Sequence, residues 1–337
     1  MAYTNIDDPS AYFQAFTYTG NGTNRSITLD GNSDLQPDLY WYKTRSSSNY
    51  HYLADSSRGT TKYIYPNDSL AEGTVASAYV QSFDTNGVTL GGGDSGTNTN
   101  GTTFANWVWK ANGGTNQGSN YQVNTTSGFS IGTYTGNRAS VVTANHGLGA
   151  KLDFLLIKPT SAVGPWVAWH KSDPTKVMFL DTTDAAFGYG AYFDAAPNTN
   201  TSSFSVGDAG ATNAAGVTYL FYGFAEKQGY SKFGKYVGNG NANGSFVYTG
   251  FKPEFVIVKR SDSANNWIIT DNARGINGAN PRLYADLVDA EGSAADYIDH
   301  LSNGFKIRTS AGSMNTSGGT YIYMAFAENP FVTSTGI

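Results

Sequence analysis

The chain has 337 residues, a length that suits two or three domains. Hydrophobic residues make up 39% and aromatic residues 14%, enough for sizeable cores, while charged residues are only 14%, against roughly 25% in ordinary soluble domains. A net charge of −5 leaves no broad basic face for phosphates, which argues against a nucleic-acid partner, and the absence of cysteine excludes disulfides and thiolate metal ligands.

The first twelve residues have neither a basic region nor an apolar stretch, so no signal peptide is expected and synthesis is expected in the cytoplasm. No apolar run approaches the ~18 residues of a membrane helix, so no membrane insertion is expected. Residues 1–12 read as a docking arm outside the repeats that follow. Residues 13–114 form a first unit of short β-branched or aromatic runs: Phe16–Thr19, Ser26–Leu29, Leu39–Lys43, Tyr50–Asp55, Lys62–Tyr65, Tyr79–Asp84, Val88–Leu90 and Phe104–Trp109. Asn21-Gly22, Asp30-Gly31 and Asn86-Gly87 are hairpin signals between them. Residues 115–127 read as a Gly- and Asn-rich surface linker. Residues 128–229 and 230–331 are second and third units, and 332–337 a tail.

Three landmarks recur in the same order. The central run Leu39-Tyr40-Trp41-Tyr42-Lys43 matches Phe154-Leu155-Leu156-Ile157-Lys158 and Phe255-Val256-Ile257-Val258-Lys259, with the lysines roughly 100–115 residues apart. Tyr18-Thr19-Gly20-Asn21 matches Tyr134-Thr135-Gly136-Asn137 and Tyr236-Val237-Gly238-Asn239. Each unit closes on an aromatic strand, Thr103–Trp109, Thr218–Phe224 or Thr320–Phe326. The expected fold is therefore all-β: three tandem homologous antiparallel β-sandwich modules of about 100 residues, each a two-sheet sandwich or jelly roll. The central runs are apolar at consecutive positions, as expected of strands buried on both faces.

Candidate chemistry is sparse. Asp55 and Arg58 align with Asp271 and Arg274; a carboxylate three residues before a guanidinium at a strand end suits either a sugar hydroxyl or a salt-bridged turn. The second unit has His170 and Asp173 there, so the charge order is inverted. His51, His146, His170 and His300 have no metal-ligand spacing. Asp181, Asp184, Asp194, Asp289 and Glu291 are candidates for a glycosidase pair, but no spacing brings two together. Asp84-Thr85-Asn86-Gly87 and Asp94-Ser95-Gly96 resemble fragments of calcium loops without the closing Glu, and Gly91-Gly92-Gly93 lacks the Lys of a phosphate loop. The expectation is no catalytic residue, no metal and no cofactor. With 23 Tyr and 6 Trp, some rings are candidates for stacking on glycan or for a protein contact; Trp166, Trp169 and Trp267, on the strand after the central run, join Asp55, Arg58, Asp271 and Arg274 as that candidate site. The alternative is that these rings fill sandwich cores.

Ile6-Asp7-Asp8-Pro9-Ser10-Ala11-Tyr12-Phe13-Gln14, the approach Gly31-Asn32-Ser33-Asp34-Leu35-Gln36-Pro37-Asp38, and the Tyr-x-Gly-Asn, Asp-x-x-Arg-Gly and Tyr-x-x-x-Ala-Phe-Ala-Glu landmarks together resemble structural proteins of tailed bacteriophages, especially those of marine cyanobacteria and related hosts. The resemblance covers essentially the whole chain and implies tandem concanavalin-like β-sandwich modules, a virion location and a tail-fibre or tail-associated role. It implies other virion proteins as partners, a homo-oligomer, expected as a trimer, and contact with host surface glycan. Capsid decoration through the N-terminal arm is the alternative role, and a polysaccharide-degrading enzyme a minor one.

Overall fold

In the computed structural model, the described residues are 4–75, 79–92, 96–116, 120–138, 141–275, 277, 281–292 and 297–330. Asp94-Ser95, the last glycine of Gly91-Gly92-Gly93, the first three residues of the arm and the tail 332–337 lie outside them. Among the described residues the chain is almost entirely antiparallel β-structure, with two α-helices of four residues each, Gly210–Asn213 and Gly312–Asn315.

Three principal sheets carry the fold. The first has the order Phe13–Thr19, Thr103–Trp109, Leu39–Thr44, His51–Asp55. The second runs Tyr121–Asn124, Phe129–Thr135, Thr218–Phe224, Phe154–Pro159, Val167–His170, Lys176–Phe179, Phe187–Gly188. The third runs Ser231–Val237, Thr320–Pro330, Phe251–Arg260, Trp267–Asp271, Leu283–Tyr284. Each principal sheet is covered by a smaller one: Arg25–Thr28 with Gly87–Leu90 and Val80–Asp84, Val142–Asn145 with Ser203–Val206, and Phe246–Tyr248 with Gly304–Ile307 and Ile298–Leu301. We call each pair of sheets a lobe. Tyr40 and Tyr42 pack with Ile27 and Val88 inside the first lobe. Leu155 and Ile157 pack with Phe204 and Val206 inside the second, and Val256 and Val258 with Phe305 and Ile307 inside the third.

Side chains alternate between the two faces of a strand, and here both faces are buried. Leu39 and Trp41, Phe154 and Leu156, and Phe255 and Ile257 point away from their own lobes into one cluster common to all three. At its centre stand three residues from equivalent positions, Trp109, Phe224 and Phe326. Their ring centroids lie 6.5 Å apart for Trp109–Phe224, 5.6 Å for Trp109–Phe326 and 5.8 Å for Phe224–Phe326. The lobes thus stand around a pseudo-threefold axis with an aromatic plug on it.

Two segments differ from their sequence expectation. The stretch 115–127, expected as a surface linker, contains the strand Tyr121–Asn124, which pairs with Phe129–Thr135 at the edge of the second sheet. Its Gln122 Nε2 donates to Ser56 Oγ at 2.8 Å and Ser57 Oγ at 2.6 Å, tying that edge to the first lobe. Residues 4–12 are packed against the lobes and do not extend as an arm. Ile6 is 3% exposed within the common core, Thr4 Oγ1 donates to the Gln228 carbonyl at 2.7 Å, and Ser33 Oγ donates to Asp8 Oδ2 at 2.6 Å.

Candidate functional site

Many of the residues that the sequence marks for chemistry converge on the three seams between lobes. Each seam has one plan. A segment of one lobe (65–72, 179–186 or 284–291) lies against the loop that follows the central strand of its neighbour. Between the second lobe and the first, Gly164 N–H donates to Ser69 O at 2.8 Å and Glu72 N–H to Thr160 O at 2.9 Å. Between the third and the second, Asn265 N–H donates to Thr183 O at 2.8 Å and Ala186 N–H to Ser261 O at 2.8 Å. Between the first and the third, Asn49 N–H donates to Val288 O at 2.8 Å and Glu291 N–H to Arg45 O at 2.8 Å. The stretch beginning at Asp286 is the segment that grips the first lobe. The three seams run head to tail and close a ring.

The strand-closing lysines share parity with the residues of the common core, so they too point into the seams. Lys43 Nζ donates to Thr44 O at 2.9 Å and crosses to Val288 O at 3.2 Å. Lys158 Nζ donates to the Gly164 carbonyl and crosses to Asp68 O at 3.3 Å. Lys259 Nζ donates to the Asn265 carbonyl and crosses to Thr183 O at 2.8 Å. All three are 0% exposed. Burial pulls each pKa from the ordinary 10.5 down to about 8, against the opposing pull of Asp289 on Lys43, of Asp181 and Asp68 on Lys158, and of Asp286 and Asp184 on Lys259. Below pH 8 both folded and unfolded chains hold these protons. Between pH 8 and 10.5 the unfolded chain holds more, so stability rises with pH across that window. The melting temperature is expected to climb from about pH 7.5 to about pH 9.5, and a triple Lys→Met variant to lose most of that slope. A flat wild-type profile would contradict the assignment.

The candidate glycan residues are all interior. Trp166, Trp169 and Trp267 are 0%, 0% and 1% exposed, so none presents a ring face to a sugar. Trp166 Nε1 crosses to the Tyr65 carbonyl at 2.7 Å and Trp267 Nε1 to the Phe179 carbonyl at 2.9 Å, in the same sense as the lysines. In the remaining seam His51 holds this position; its Nδ1 accepts from Trp41 Nε1 at 2.9 Å, and an Arg45–Glu291 pair with two 2.8 Å bonds crosses beside it. Trp169 lies within the second lobe, donating to Pro174 O at 3.0 Å.

The Asp-x-x-Arg motifs are seam devices as well. Arg58 Nε meets Asp55 Oδ2 at 2.6 Å and Arg274 Nε meets Asp271 Oδ2 at 2.7 Å. The Arg58 and Arg274 side chains are 7% and 0% exposed, beyond the reach of a polysaccharide. The same carboxylate oxygens accept a bond from the next lobe: Tyr222 OH reaches Asp55 Oδ2 at 2.8 Å, and Trp107 Nε1 reaches Asp271 Oδ2 at 2.9 Å. Trp107, Tyr222 and Met324 occupy equivalent positions, and methionine has no proton to donate. The seam that contains Met324 is the one whose Asp is replaced by His170. There the direction reverses. His170 Nδ1 accepts from Ser172 N–H at 3.0 Å, which leaves the proton on Nε2, 3.2 Å from the Tyr323 carbonyl. Burial takes the His170 pKa down to about 3, so the ring is neutral. The exchange of Asp for His and of Trp or Tyr for Met is one compensated change.

The other candidates are also engaged. Asp181 Oδ1 accepts from Trp166 N–H at 3.0 Å, Asp184 accepts from Thr182 Oγ1 at 2.9 Å, and Glu291 bonds to Arg45 and Arg274. Asp289 lies on the gripping segment of the third lobe, while Asp194 sits apart beside a 430 Å³ cleft of the second. Among the described residues no group of three or more His, Asp or Glu side chains is placed to hold a metal ion. A 420 Å³ cleft between the first and third lobes is lined by Asp30, Glu254 and Glu328, with the Glu254 pKa raised by burial while its Oε1 accepts from Ala15 N–H at 2.7 Å.

Comparison with curated proteins and with solved structures gave no match. The family described as "Domain of unknown function (DUF7483)" matches residues 8–330, a span that takes in all three lobes and every seam residue above. The chain belongs to the DUF7483 family.

Proposed function

We propose that this chain is a non-enzymatic structural protein of a bacteriophage virion, part of a tail fibre or a tail-associated appendage, with other virion proteins as its partners. The observation that carries this reading is the closed ring of seams. The buried lysines, the Asp–Arg pairs, Trp166, Trp267, His170 and Glu291 hold one lobe to the next, which is an architectural use of residues suited to chemistry. A pseudo-threefold body also fits the symmetry of a trimeric fibre. Three lobes around one axis let a single copy meet three equivalent subunits, so self-trimerisation is not required. The resemblance of the Tyr-x-Gly-Asn and Asp-x-x-Arg-Gly landmarks to phage structural proteins supports the same reading. Capsid decoration through residues 1–12 has less in its favour, since residues 4–12 pack against the lobes.

The test is labelling of intact virions with an antibody against this chain, viewed by electron microscopy. Label at the tail tip or along fibres is the expected result. Label spread over the head, or none on any virion, would overturn the reading.

A further inference from the structure

The outward positions of the three lobes can be compared within one chain. In the first lobe Thr19, Ser26 and Thr28 face solvent; in the second, Thr135, Thr143 and Asn145 do so. The register is the same in each lobe: Thr19, Thr135 and Val237 pair with Thr103, Thr218 and Thr320. In the third lobe these positions hold Val237, Phe246 and Tyr248, which are 57%, 47% and 51% exposed. The fold is built twice with hydroxyl and amide side chains there, so it does not require an apolar group. Burial cannot explain the exchange either, because the three side chains remain half in water.

Local geometry shapes Phe246 and Tyr248 into a platform. Ser245 Oγ donates to the Val237 carbonyl at 2.9 Å, which fixes the chain at the entry to the Phe246–Tyr248 strand. Gly304 faces Tyr248 across the sheet, and the Phe246 ring lies over it: a Cβ on Gly304 would sit 3.0 Å from Phe246 Cζ. The missing side chain leaves room for the ring to lie on the sheet while Phe246 stays half exposed. Phe246–Tyr248 is also the outermost strand of its sheet.

We infer that this face binds a neutral polysaccharide chain, with Phe246 and Tyr248 stacking on the apolar faces of successive sugar rings. Area selects the occupant. Two half-exposed aromatic side chains offer about 200 Å², well short of the ~800 Å² per partner of a stable protein interface. Sugar rings need only a small flat apolar surface with hydrogen-bonding groups beside it, and the exposed turn Asn239–Asn243 precedes the strand. The chain's net charge of −5 favours a neutral glycan over an acidic one. This extends the adsorption side of the virion reading, but its test uses the purified protein alone.

The purified full chain is applied to an array of bacterial surface polysaccharides and neutral oligosaccharides beside the variant Phe246→Ser/Tyr248→Asn, which installs residue types that the sister strands carry at these positions. The wild type is expected to be retained by at least one neutral glycan, and the variant to bind it at least tenfold more weakly at an unchanged melting temperature. No retained glycan, equal retention by both proteins, or a wild-type dimer that the variant converts to monomer would overturn the inference; the last result would assign the face to a second copy. Glycan binding together with label on virion heads would overturn the tail assignment and leave this inference standing.

Discussion

Asp271→Ala is expected to destabilise the chain by about 3–5 kcal/mol, the range for removing one partner of a buried ion pair. The change strands two groups at once. The Arg274 side chain, 0% exposed, loses the Nε bond of 2.7 Å and keeps Glu291 at 3.2 Å and the Ile269 carbonyl at 3.0 Å. Trp107 Nε1, on the next lobe, loses its only acceptor, 2.9 Å away. The Arg274 backbone N–H loses a third bond, 3.0 Å to Asp271 Oδ1. Asp262→Ala provides the contrast: its pair with Arg260 lies at the surface, with the Asp262 side chain 38% exposed, and its removal is expected to cost under about 1 kcal/mol. Urea denaturation of the two variants checks the difference through the midpoint at unchanged slope. A loss below about 1 kcal/mol for Asp271→Ala would mean that the seam contributes little.

Phe326→Ala acts on the axis itself and is expected to cost about 3–5 kcal/mol, as truncation of a fully packed aromatic does. Phe326 touches rings from every lobe: Phe13 at 5.1 Å, Trp109 at 5.6 Å and Phe224 at 5.8 Å, with Tyr230 at 5.6 Å and Phe233 at 6.1 Å from its own. The hole cannot close by movement of one lobe without pulling it from the other two. The loss is therefore expected to appear equally in near-ultraviolet signals from Trp107 and Trp109 in the first lobe, Trp166 and Trp169 in the second and Trp267 in the third. Phe305→Ala, inside the third lobe, is the control for an aromatic truncation away from the axis. If Phe326→Ala changed only the third lobe, the common core would not couple the lobes.

The sequence made the strands legible because their parity is plain. Leu39-Tyr40-Trp41-Tyr42-Lys43 is apolar at every step until the lysine, and a strand with two apolar faces must be covered twice. What covers the second face was not legible, since a lone strand carries no record of its neighbours. Two lobes supply that cover, and they create a common core that a count of three separate sandwiches omits. The surplus of Tyr and Trp follows from this. Rings that three isolated cores have no room for, Trp41, Trp107, Trp109, Trp166 and Trp267 among them, fill the shared one. Trp166 and Trp267, candidates for either a glycan contact or a core position, take the core one.

The Asp-x-x-Arg motif was legible as a salt-bridged turn, but not its place in a seam. Its absence from the second unit was the informative clue, because His170 stands opposite Met324 where the other seams set Asp against Trp or Tyr. Only the seam geometry explains why both changed together. The linker was misread on composition. Tyr121–Asn124 is four residues between Gly-rich flanks, and an edge strand that short leaves almost no periodic signal. Val237, Phe246 and Tyr248 were missed because a β-prone aromatic strand looks alike whether its rings face in or out. The burial register set by Val247, 7% exposed between them, decides it.

The closed ring is the centre of this account, and scanning calorimetry of the full chain tests it most directly. Three lobes joined by a common core and head-to-tail seams should unfold together, in a single transition whose calorimetric and van't Hoff enthalpies agree. Two or three separable transitions, or a van't Hoff enthalpy well above or below the calorimetric one, would contradict it.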